Sequence, residues 1–147
     1  MDYEKLWDER YIHAFGYREN IDPYVWIEKY LTYFEGIHPP RALDLGCGDA
    51  VASGYLMKKG FDVTATDLSA VALSIASERN PGLKTLHLNM LDGLPFADRH
   101  FGVVAAGLST HYFSLVDTRR VFADVRRILI PGGGLPYQGQ CPPRAGS

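Results

Sequence analysis

Three acidic side chains and a pair of glycines are the residues of this chain whose types and spacing can do chemistry. The first group reads Asp44-Leu45-Gly46-Cys47-Gly48-Asp49-Ala50. Two glycines directly after a short apolar run allow a tight turn and let a ligand lie against bare backbone. A Gly-x-Gly pair alone is weak evidence, and its neighbours sharpen it. A loop built for a dinucleotide would want a further glycine at position 51, which is Val51. Asp44 precedes the first glycine by two residues, where a pyrophosphate would be repelled. A cationic nucleoside without a phosphate would instead welcome a carboxylate there. Asp67 follows Gly46 by 21 residues, and at a strand end it can accept two hydrogen bonds from a ribose diol. The third acid lies in Asn89-Met90-Leu91-Asp92-Gly93-Leu94-Pro95-Phe96. Asp92 can accept from an adenine amino group while Met90 or Leu91 packs on the ring. One strand-end aspartate more often caps a turn or helix than binds a ligand. Three on successive strand ends of one sheet are harder to assign to capping.

These residues need elements that bring them to one place. In the stretch from Pro23 to Phe34, the residues Tyr24, Ile27, Leu31 and Phe34 share one face at helical spacing, with Pro23 suited to a first turn. Gly36 and Pro39-Pro40 stop that helix. From Arg41 the pattern alternates. It predicts strands over 41–45, 61–66, 84–88 and 101–106, and helices over 51–59 and 69–79. Asp117 is the predicted cap of a last helix carrying Val121, Phe122, Val125, Ile128 and Leu129 on its apolar face. Alternating strands and helices imply right-handed β-α-β units and a parallel sheet. Such a sheet binds ligands beyond the C-terminal ends of its strands. The loops after Leu45, Thr66, Leu88 and Ala106 are therefore the ones that matter.

Ala42-Leu43-Asp44-Leu45-Gly46-Cys47-Gly48, followed by Ala65-Thr66-Asp67-Leu68-Ser69, closely resembles the class I S-adenosylmethionine-dependent methyltransferases. Residues 91–104 and Arg127-Ile128-Leu129-Ile130-Pro131-Gly132-Gly133 look like that family's later motifs, so the resemblance spans about residues 41–133. It implies an α/β, Rossmann-like three-layer fold with a mostly parallel sheet. It sets Gly46, Cys47 and Gly48 against the methionine and ribose part of S-adenosylmethionine, with Asp44 supporting the amino group. It gives the ribose hydroxyls to Asp67, the adenine face to Leu68 and the adenine amine to Asp92, and Met90, Leu91 and Leu108 complete the cofactor contacts. Trp7-Asp8-Glu9-Arg10-Tyr11 is similar to the helical lid of small-molecule members, where Tyr11 or Tyr24 would close over the cofactor or pack in the core. The expected organisation is one domain: a lid segment over 1–40, the cofactor-binding part over 41–133 and an irregular tail over 134–147.

Three positions depart from the family pattern. Ala50 replaces a third glycine, and Phe101-Gly102 stands where Phe-Asp is common, a change expected to act on stability before chemistry. The third is the C-terminal stretch. Residues 131–147 hold five glycines and four prolines, and Pro136 cannot donate to a ladder where an interior strand should begin. The usual C-terminal strands are therefore expected to be missing, through truncation, a frameshift or a partial gene. That would leave the edge of the fourth strand open to self-association and make a homo-oligomer through that edge.

Composition bounds the rest. At 147 residues there is room for one domain with a core, and 46% apolar with 22% charged residues is ordinary for a globular protein. A net charge of −2 offers no electrostatic reason for a nucleic-acid or membrane partner. Cys47 and Cys141 show no metal or disulfide spacing, and the start lacks the features of a signal peptide, so a cytoplasmic setting is expected. Methyl transfer is an in-line displacement that mostly needs alignment and the exclusion of water. Gly107-Leu108-Ser109-Thr110-His111-Tyr112-Phe113 would face the methyl acceptor, and His111 is the one candidate base there; the plainer role is tying its loop to backbone carbonyls. The acceptor expected is a small molecule. Two other classes stay open: an inactive module that binds S-adenosylmethionine or S-adenosylhomocysteine, and a nicotinamide-dependent reductase, which Val51 and Asp44 disfavour.

Overall fold

The computed structural model describes residues 2, 4–6, 8–9, 27–107 and 113–138. Its centre is Arg41–Leu45 (β1), in which every residue after Arg41 is buried. Burial on both faces is what a central parallel strand requires, and it explains a continuous apolar run rather than an alternating one. Asp62–Asp67 (β2), Lys84–His87 (β3), Phe101–Gly107 (β4) and Leu129–Gly134 (β5) complete a sheet in the order β3-β2-β1-β4-β5. All its pairings are parallel. Parallel neighbours need crossovers. Val51–Lys58 (α1), Ala70–Arg79 (α2) and Leu115–Ile128 (α3) supply them, while a short 3₁₀ helix, Met90–Asp92, sits between β3 and β4.

Two main apolar clusters follow from the sheet's two faces. Ala42, Val63, Val103 and Ala105 pack with Leu56 of α1 and with Ile27 and Phe34. Leu43, Leu45 and Val104 pack on the other side with Val121, Val125 and Ile128 of α3. Each of those three α3 side chains contributes roughly 1.5–3 kcal/mol by leaving water. The cap of α3 corrects the sequence expectation. Ser114 Oγ, not Asp117, accepts from the Asp117 N–H at 3.1 Å, so the helix starts about one turn earlier than expected. A serine hydroxyl in an extended residue reaches that N–H easily, which leaves Asp117 free to lie inside the first turn. The helix expected to begin at Pro23 is described only from Ile27, and there it is a 3₁₀ helix, Glu28–Phe34.

The C-terminal stretch differs most from expectation. Leu129, expected on the last helix, instead opens β5 opposite Phe101, and Gly134 pairs with Val103. The residues between them form an irregularity that absorbs Pro131 and Gly132. Tyr137–Gln138 (β6) then continues beside β4, paired with Ala106 and Gly107. Pro136 lies in the gap, where the ladder needs an acceptor: its carbonyl takes the Ala106 N–H at 3.0 Å. Proline lacks only the donor. A fifth strand is therefore present, and the edge of β4 is covered rather than open.

Gly102 also has a packing reason. A Cβ there would fall on Ile37 Cγ2 and lie 3.0 Å from the Pro39 carbonyl oxygen. At Gly134 it would run into the ring of Phe34. The segment leading into β1 thus lies directly on the backbone of β4 and β5.

Candidate functional site

The parallel register brings the C-terminal ends of the strands together, with Leu45 opposite Thr66 and Asp67 opposite His87. The Cys47 N–H donates to the Thr66 carbonyl at 2.8 Å, which folds the glycine loop over the end of β2. Gly46, Gly48 and Ala50 adopt φ values of 69°, 55° and 60°. The left-handed region costs an ordinary residue about 1–2 kcal/mol, so glycine suits two of these positions. Ala50 holds the same conformation with its methyl group fully buried beside Ala65, Leu73 and Ala76. Burial of that methyl offsets part of the strain.

Asp67 ties the site together. Its Oδ2 accepts from the Gly48 N–H and its Oδ1 from the Ser69 N–H, both at 2.9 Å. One carboxylate therefore links the glycine loop to the start of α2, and each oxygen retains acceptor capacity for a hydroxyl. Asp44 lies deeper. Ser53 Oγ of α1 donates to its Oδ2 at 2.7 Å. Burial raises the Asp44 carboxyl to about 6, opposed by the Ser53 bond and reinforced by the negative charge of Asp67. Burial pushes Asp67 upward as well, against its hydrogen bonds from Ser69 and Gly48. Burial, then the charges of Asp44 and Asp67, drive the Cys47 thiol far up, so it is no nucleophile. Two buried carboxylates that repel each other form a site for positive charge. A cation would relieve both, whereas a phosphate would add a third negative charge. These acceptors fit S-adenosylmethionine.

The N-terminal stretch reaches the same place. Ser69 Oγ caps α2 by accepting from Ala72 N–H at 3.1 Å, and it donates to Asp8 Oδ1. Asp8 also accepts from Val71 N–H at 3.5 Å, so its carboxylate sits on the N-terminus of α2 beside Asp67. His87 Nε2 lies 2.7 Å from the Leu68 carbonyl and 3.2 Å from Glu4 Oε1. Sequence reasoning missed Asp8 and Ser53 as partners of the site. Asp8 meets an element 61 residues away, and Ser53, nine residues from Asp44, meets it only once the helix packs back on its strand.

Asp92 is exposed at the end of its 3₁₀ helix, while Met90 and Leu91 are half-buried against the α3-side core. Asn89 Oδ1 caps that turn by accepting from Leu91 N–H at 3.0 Å. Beyond it, Asp124 and Arg127 of α3 hold the chain. Asp124 Oδ2 accepts from Leu94 N–H at 2.5 Å. Arg127 donates at 2.8 Å to the carbonyls of Leu94 and Phe96 and to Asp98 Oδ1 and Asp124 Oδ1. The i, i+3 spacing of Asp124 and Arg127 was the available signal for this pair. A groove of about 410 Å³ runs here, with Met90, Leu91 and Gly93 facing Arg120, Asp124 and Arg127. None of Asp44, Gly46, Gly48 or Asp67 lines it. Leu108, His111, Tyr11 and Tyr24 lie outside the described residues. Among the described residues, no group of three His, Cys, Asp or Glu could hold a metal ion. No described helix is long and apolar enough to cross a membrane.

A family described as a methyltransferase domain matches residues 43–135. The chain belongs to the class I S-adenosylmethionine-dependent methyltransferase family. Demethylmenaquinone methyltransferase of Chlorobaculum parvum is 38% identical over 101 residues, which are 67% of this chain and 40% of that protein. The crystal structure of the PH0226 protein from Pyrococcus horikoshii OT3 superposes with a TM-score of 0.66 at 28% identity, over 74% of this chain and 52% of that one. An S-adenosylmethionine-dependent methyltransferase from Mesorhizobium loti gives a TM-score of 0.59 at 30% identity, over 66% of this chain and 45% of that one. This methyltransferase-family chain spans about 40% of the length of the curated relatives it matches.

Proposed function

We propose that the chain binds S-adenosylmethionine and serves methyl transfer to a small molecule in the cytoplasm. The observation that carries this reading is the buried Asp44–Asp67 pair set over a left-handed glycine loop. Asp44 would hold the ligand's ammonium end, and Ser53 fixes the carboxylate that does so. Asp67 would accept from the ribose hydroxyls while it keeps Gly48 in place. Asp92 would accept from the adenine amine, with Leu68, Met90, Leu91 and Leu108 beside the base and Gly46, Cys47 and Gly48 along the ribose and methionine part. When bound, the sulfonium supplies a methyl group already activated toward a nucleophile. The work left to the protein is alignment and the exclusion of water. The segment over 1–40 serves as the lid, 41–133 as the cofactor-binding part and 134–147 as the tail, of which Tyr137–Gln138 pairs with β4. Asp8, docked on α2 beside Asp67, supports the first of these. His111 is the candidate acceptor-side base.

A small acceptor agrees with the net charge of −2, which gives no overall attraction for a nucleic acid. It also agrees with the acceptor in the name of the Chlorobaculum relative, demethylmenaquinone methyltransferase. Isothermal titration decides the cofactor: S-adenosylmethionine gives saturable binding and NADH gives none. Binding of NADH with no response to S-adenosylmethionine would overturn the reading.

A further inference from the structure

We infer that Arg127, paired with Asp124, is a positioning residue of the cofactor site that holds Asp92 where it accepts from the adenine amine. This rests on the role proposed above for Asp92. Asp92 ends a single 3₁₀ turn, its N–H on the Asn89 carbonyl at 3.0 Å, and is followed by Gly93 at φ 96°, so how that turn is set against the rest of the site depends on what anchors the chain beyond it. Two residues on, the backbone of Leu94 is bracketed. Its N–H goes to Asp124 Oδ2 at 2.5 Å and its carbonyl takes Arg127 at 2.8 Å. The Leu94 side chain is 4% exposed in the core beside Val121 and Val125, so backbone and side chain are anchored to the same helix.

The guanidinium then reaches along the loop to the Phe96 carbonyl and Asp98, while its Nε–H meets Asp124. The far end of the loop is fixed by Arg99 N–H to the Arg127 carbonyl at 3.0 Å and His100 N–H to the Ile128 carbonyl at 2.8 Å. The segment carrying Asp92 is thus braced from one helical turn of α3. Only a planar fork with several donors can serve acceptors spread from Leu94 to Asp98; a lysine ammonium has one point of attachment.

The test separates this role from plain stabilisation by asking about one hydrogen bond. S-inosylhomocysteine carries a carbonyl oxygen on purine C6 in place of the adenine amine of S-adenosylhomocysteine. Titration of the full chain with both is expected to show a preference for S-adenosylhomocysteine of about tenfold or more, from one charge-assisted hydrogen bond. Arg127→Lys keeps the charge, removes the fork and, as the gentler change than Arg127→Ala, keeps the fold; thermal melts check that. In Arg127→Lys the preference is expected to fall to about threefold or less. If both ligands weaken by the same factor and the preference stays, Arg127 is merely structural and the inference is overturned. Asp92→Ala is the second arm. A preference lost in Asp92→Ala and intact in Arg127→Lys overturns the positioning role alone. A preference absent from the parent, or intact in Asp92→Ala, overturns the role of Asp92 and the inference with it.

Discussion

Asp44 carries a burden opposite to that of most carboxylates. Its ordinary value is 3.8 and burial raises it to about 6 in the fold. The folded state therefore binds more protons than the unfolded chain between those values. The stability Asp44 contributes is complete below about pH 4 and is lost as the pH rises through 6, on the order of 3 kcal/mol in all. Asp67 shifts in the same direction. Asp44→Asn keeps an acceptor for Ser53 and removes the charge. In the absence of ligand, it is expected to be more stable than the parent at pH 7 by on the order of 1–3 kcal/mol and to converge with it near pH 4. Urea melts across that range check it. The same variant should bind S-adenosylmethionine more weakly, and the parent's affinity should rise with pH through 6. Asp67→Ala is expected to lose about ten- to a hundredfold in S-adenosylmethionine affinity by titration. It should also lose about 1–3 kcal/mol of stability, because the Gly48 and Ser69 N–H groups it satisfies are buried. Unchanged binding by folded Asp67→Ala would remove it from the site.

At the scale of elements, the β4–β5 pair depends on small residues facing the segment that enters β1. The would-be Cβ of Gly102 meets Ile37 and Pro39, so a glycine at this position is demanded by packing. Gly102→Ala is expected to cost about 1–3 kcal/mol through overpacking. Ile37→Ala should cost less in that background than in the parent, because part of the clash leaves with it. Chemical denaturation of the four proteins of the cycle measures this. Independent, additive costs would mean that the contact does not constrain β4.

For the whole molecule, the sheet's outer strands are β3 on one side and β5 with β6 on the other, and β3 is more exposed than β5. All four residues of β3 are exposed, Leu86 among them at 37%. An outer parallel strand with unpaired backbone groups and an exposed leucine invites pairing with another chain. Leu86→Lys places a charge there and is expected to slow heat-induced association, read by light scattering at matched temperatures below the melting point. An equal rate in the variant would direct attention to other surfaces.

The alternation of short strands with helices, the glycine loop and the strand-end acids were all legible in the chain. They are local, with turn chemistry, caps and periodicity that act within a few residues. The element boundaries from 41 to 107 came within about a residue for that reason. What only the tertiary structure decided is where distant segments meet. A stretch rich in glycine and proline read as coil, yet beside β4 its carbonyls and N–H groups complete a ladder, and the Pro136 oxygen serves as well as any other. Ser53 under Asp44, Asp8 on α2 and Arg127 across Leu94 join residues 9, 61 and 33 positions apart. No pattern along the chain encodes such pairs, because their geometry exists only once the sheet has stacked its strand ends against the helices.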